Sequence, residues 1–82
     1  MYSRLYPLDD ETKPVHVVVL LAAGDRKIQV IKNVREITGS GLKESLELVD
    51  SVPQIILRNV TKPDAIRYKE RLEAEGAIVE IR

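Results

Sequence analysis

The chain contains no cysteine and only one histidine, His16. Without thiols there are no disulfides or thiolate metal sites, and no redox compartment is implied. A lone imidazole cannot build a histidine-rich metal centre or a Cys–His nucleophile pair. Net charge is missing as well, because 13 Lys and Arg residues balance 13 Asp and Glu. No global field draws the molecule onto nucleic acid or an anionic membrane, so recognition has to be local. No apolar run approaches the roughly 20 residues that span a bilayer, and the N-terminus has no basic region followed by an apolar signal core. A soluble, cytoplasmic protein is the expectation. Internal repeats, low-complexity tracts and a glycine-rich phosphate loop after a strand are also missing. At 82 residues the chain makes one domain whose core is only marginally sufficient alone.

What is present is punctuated clearly. Residues 1–13 read as an irregular lead-in around Asp9, Asp10 and Glu11. Tyr2, Leu5, Tyr6 and Leu8 nonetheless give it apolar side chains with which to fold over a sheet. The single domain is expected over 14–82. Val15 to Leu21 is a β-branched run that predicts a strand. Asp25 is placed to cap the helix that follows, Gly39 to end it, and Ser40 to cap a second helix from Leu42 to about Ser51. Pro53 stops that helix, and Gln54 to Arg58 predicts a strand. Thr61 with Asp64, and Pro63 in the first turn, start a third helix that runs to Gly76, with Ala65, Tyr68 and Leu72 facing inward. Ala77 to Ile81 is the last strand. This order predicts an α/β (α+β) two-layer sandwich with three helices on one face of a three-stranded sheet. The last two strands should run parallel through a right-handed crossover, with the first strand between them and antiparallel to both.

The first helix carries more apolar surface than one core needs. Val30, Val34 and Ile37, spaced i, i+4, i+7, form the inward stripe. Ile28 then sits roughly 160° from the centre of that stripe and Ile31 roughly 100° away, so neither is expected to reach the core that holds Val34. Lys32 and Arg35 flank the two isoleucines and Lys27 lies at the edge, giving an apolar spot framed by cations. That is the composition of a docking surface. The alternative is that Ile28 and Ile31 are scattered surface residues, or are partly covered by the next helix.

The sheet raises a second question of the same kind. If His16, Val18 and Leu20 point toward the helices, alternation sends Val17, Val19 and Leu21 to the other face. Ile55, Leu57 and Ile78 of the neighbouring strands join them there. An apolar back this continuous predicts a cover: the lead-in, a second copy in a homodimer, or another protein. The remaining polar groups are unremarkable. His16 reads as a structural histidine near a sheet end, with no nucleophile or carboxylate at recognisable spacing. Three consecutive acids without an EF-hand pattern read as solvated. The alternating charges of the third helix read as a salt-bridged solvent face. No catalytic residue, metal ligand or cofactor is assigned.

These residues resemble the C-terminal domain of the bacterial ribosomal large-subunit stalk protein, over about 15–82. The most specific stretch is Ala22-Ala23-Gly24, Lys27, Val30-Ile31-Lys32, Val34-Arg35, Thr38-Gly39 and Gly41-Leu42-Lys43-Glu44. Lys62, Asp64-Ala65, Lys69, Leu72, Glu73, Gly76-Ala77 and Val79-Glu80 continue it. The resemblance implies the same fold, no enzymatic activity, and recruitment of translational GTPases to the ribosome through the first two helices. Carried over by position, the contacting surface falls on Lys27, Ile28, Ile31, Lys32, Arg35 and Lys43. Two departures bear on it: Leu46 stands where the family commonly has a further lysine, and Glu36 replaces a small residue. The surface is therefore less positive, and Leu46 extends it with apolar area. The lead-in is too short for the family's N-terminal dimerisation domain and hinge, so attachment to the ribosome in the family's usual way is not expected. The partners implied are translational GTPases or ribosome-associated proteins, with no direct contact to nucleic acid or membrane. A structural or assembly role through the sheet back is the second reading. A third is a protease adaptor. Clp-protease adaptors share the element order, but their acidic turn after the first strand is replaced here by Ala22-Ala23-Gly24-Asp25.

Overall fold

The computed structural model describes residues 11–82. The elements, in order, are β1 (His16–Ala22), α1 (Lys27–Thr38), α2 (Leu42–Asp50), β2 (Gln54–Val60), α3 (Lys62–Glu73) and β3 (Ile78–Ile81). The sheet order is β2-β1-β3, with β1 antiparallel to both neighbours. The most apolar strand thus occupies the centre, as the β-branched run predicts, and β2 and β3 run parallel to each other. The expectation that the lead-in packs on the sheet falls largely on residues outside those described.

The core lies between sheet and helices. Val18 and Leu20 of β1, Val30 and Val34 of α1, Val49 of α2, and Ala65 and Leu72 of α3 are essentially inaccessible and form one cluster with Ile56 and Val79. Ile37 packs against this cluster and remains partly exposed, while Tyr68 is half-buried beside Arg67, whose guanidinium lies 5.8 Å from its ring centroid. His16 takes the structural place expected of it at the sheet end, with Nδ1 3.3 Å from the Arg82 carbonyl oxygen.

The helix boundaries follow the sequence signals more closely than the caps do. Thr61 Oγ1 accepts from the Asp64 backbone N–H at 3.3 Å, the N-cap expected for α3. Gly39 ends α1 at φ 74°, donating its N–H to the Arg35 carbonyl, in a conformation a side chain would strain. Asp25 and Ser40 do not cap. The residues at those N-caps are Arg26 and Gly41, neither with a side-chain capping bond, and Ser40 Oγ instead accepts a hydrogen bond from Thr38 Oγ1 at 2.9 Å. The third helix stops at Glu73, three residues before Gly76, and the chain turns through bonds from Gly76 N–H to Glu73 O and Ala77 N–H to Leu72 O. Gly24 meets this turn. A Cβ at Gly24 would lie 2.3 Å from the Gly76 carbonyl oxygen, so a side chain there would push the β1–α1 and α3–β3 connections apart.

The sheet departs from strict alternation. In the β1–β2 pairing Val18 faces Leu57 while Val19 faces Ile55, so Ile56 is the additional residue of a bulge. A second irregularity lies between His16 and Val18, opposite Asn59, which adopts a left-handed conformation at φ 58°. The first bulge corrects the expected outward set. Leu57 is partly buried and packs against the core, because an inserted residue shifts the side chains after it to the other face.

Candidate protein-docking surface

The helices α1 and α2 form an antiparallel hairpin, closed at its open end by an ion pair between Lys27, in the first turn of α1, and Asp50, the last residue of α2. Leu42 and Leu46 stand eight and four residues before Asp50, on the same side of α2. On α1, Ile31 and Arg35 continue the row that starts at Lys27. The two rows therefore run past each other, and Ile31 falls where α2 covers it. It is 7% exposed and belongs to the core cluster with Val34 and Val49. This corrects the expectation of a second exposed face at Ile31. A wheel drawn for one helix shows its angle to the sheet-facing stripe, but not the neighbouring helix that extends the buried arc.

Ile28 remains where the sequence placed it. It is 70% exposed, the most exposed large apolar residue among those described, and shares an i, i+4, i+7 row with Lys32 and Arg35. Across the hairpin, Leu42 is 52% and Leu46 38% exposed, with Lys43 beside them. Leu42 is an addition to the surface expected from sequence. Its signal was available in its spacing of four from Leu46, on the face that also carries Asp50. Lys32, Arg35 and Lys43 are exposed and make no ion pair among the described residues, whereas the Lys27 charge is shared with Asp50. A shallow open depression lined by Lys32, Arg35, Glu36, Gly39 and Ser40 lies at the corner of the hairpin. Desolvation costs little at an exposed isoleucine, and cations without partners leave their field available to an incoming group.

The helix-free face of the sheet is better covered than its composition implies. Val19 is 3% exposed; Val17, Leu21 and Ile55 are half-buried; Ile78 alone of the expected set is widely exposed, at 55%. Glu80, paired with Val19 across β1–β3, forms an ion pair with Arg82 at 3.0 Å. Among the described residues no His, Asp and Glu side chains group to hold a metal ion, and no helix is long and apolar enough to cross a membrane.

Fold and surface together define a small two-layer α+β module whose helical hairpin exposes apolar side chains beside cations that make no ion pair among the described residues. The chain belongs to the ribosomal protein L7/L12 C-terminal domain family, whose sequence model matches residues 16–82. It is 51% identical over 73 residues to large ribosomal subunit protein bL12 of Desulfatibacillum aliphaticivorans, covering 89% of this chain and 58% of that protein. It is 54% identical over 72 residues to bL12 of Dictyoglomus thermophilum, covering 88% and 58%. Against bL12 of Heliobacterium modesticaldum the identity is 47% over 76 residues, covering 93% and 59%. The chain thus spans a little under three-fifths of the length of these relatives.

Proposed function

We propose that the chain is a non-enzymatic protein-docking module of ribosomal-stalk type, working at the cytoplasmic ribosome, and that the outer side of the α1–α2 hairpin receives a helix of a translational GTPase. The observation that carries this reading is Ile28, 70% exposed in a row with two cations that have no ion-pair partner among the described residues. Covering the exposed part of Ile28 is worth about 1–2 kcal/mol, and Leu42 and Leu46 add smaller amounts in proportion to their exposure. Lys32, Arg35 and Lys43 favour an acidic partner helix and speed the encounter with it. Membership of the family supports the choice of partner. Titration of a translational elongation GTPase with the protein tests the reading. Ile28→Asp and Lys32→Glu should each weaken binding about tenfold, a change of about 1.4 kcal/mol. Binding that survives both substitutions undiminished removes the hairpin from consideration. Ile31 is unsuitable as a probe, because a charge placed there enters the core.

A further inference from the structure

Glu36 puts a negative charge on the rim of the depression that also holds Lys32 and Arg35, where an acidic partner would arrive. The structure draws that carboxylate elsewhere. It pairs with the Arg71 guanidinium, which reaches across from α3, and Arg71 Nε donates to Asn33 Oδ1 at 2.8 Å. Asn33 is itself held, its Nδ2 donating to the Gln29 carbonyl at 3.1 Å. The guanidinium therefore binds α1 at two points, through one Nη on the carboxylate and through Nε on the amide. Both charged partners are substantially solvent-exposed, so the bridge adds little to stability; its consequence is where the negative charge rests.

We propose that Arg71 is a specificity-determining positioning residue. By holding the Glu36 carboxylate against α3, it keeps the depression beside Lys32 and Arg35 cationic and open to an acidic segment of the partner. This inference rests on the docking reading given above. A carboxylate released to within about 4 Å of one of those cations offsets, in a water-like dielectric, an attraction worth roughly sixfold in affinity, and the offset shrinks as the carboxylate is held further away. Glu36 is thus tolerated on this surface because Arg71, 35 residues further along the chain, restrains it.

Two measurements on the whole chain test this. The first needs no partner: paramagnetic relaxation of the Gly39 and Ser40 amide protons by an anionic and by a cationic nitroxide reports the local potential. Arg71→Ala should shift the balance toward the cationic probe, Glu36→Gln alone should change it little, and the double variant should return to the wild-type balance. The second repeats the elongation-GTPase titration at low salt. Arg71→Ala should weaken binding about three- to sixfold, and adding Glu36→Gln should restore it to within twofold of wild type. A purely structural clamp would make both single substitutions act in the same direction and leave the double variant no better, which overturns the proposal, as does an unchanged potential in Arg71→Ala. If the wild-type chain does not bind the GTPase, the docking reading falls, while the nitroxide balance still decides the role of Arg71.

Discussion

Two surfaces of this molecule look alike in sequence and differ in the fold: the outer side of the α1–α2 hairpin and the helix-free face of the sheet. Both carry branched apolar residues at positions that simple periodicity turns toward water. On the hairpin, Ile28, Leu42 and Leu46 stay exposed among cations, while on the sheet Val19 is sealed and Val17, Leu21 and Ile55 are half-covered. The difference arises from neighbours. A central strand is flanked on both sides by other strands whose side chains shelter it, whereas the outermost row of a helix has nothing beside it. Exposed apolar area is therefore better evidence for a partner when it lies on a helix edge than when it lies on a central strand.

The sharpest way to break this contrast is within one helix. Ile31→Ala should destabilise the fold by about 2–5 kcal/mol in urea unfolding, the usual range for a buried isoleucine. Ile28→Ala should stay within about 0.5 kcal/mol of wild type. Equal losses would erase the distinction between the two isoleucines. On the sheet, Val19→Ala should cost about 2 kcal/mol, and Ile78→Ala less than about 0.5 kcal/mol. A neutral Val19→Ala would mean that the back face is as open as the hairpin. The smallest effect has the opposite sign. Ser45, on the inner side of α2, is fully buried, and its Oγ makes no hydrogen bond among the described residues. Ser45→Ala should therefore raise stability by about 1 kcal/mol, since a desolvated hydroxyl is replaced by a methyl group. A loss would show that the interior of the hairpin is wetter than its surroundings imply.

The fold was legible in the sequence almost to its ends. Hydrophobic period, Gly39, Pro53 and Thr61 mark the elements to within one or two residues, apart from the early stop of α3. Those signals act locally, over the same few residues that form each turn. The site was less legible because its geometry depends on distant contacts. Burial of Ile31 requires α2 to be placed, the inward turn of Leu57 requires a bulge, and the Glu36–Arg71 bridge joins residues with no local relation. Asp25 and Ser40 have the chemistry of caps, but the chain enters both helices one residue later than they require.

The backbone exchange between Val17 and Arg82, at 2.9 and 3.0 Å, sets the start of the central strand beside the end of the last one. Tension applied between those two points would meet the β1–β3 rungs one at a time, as when a zip is opened, instead of loading them together. The hairpin departs from the far end of the same strand, beyond Ala22, so it would be the last part to feel such a pull. The molecule would thus open most easily at one end, while the hairpin proposed to dock a partner stands toward the other.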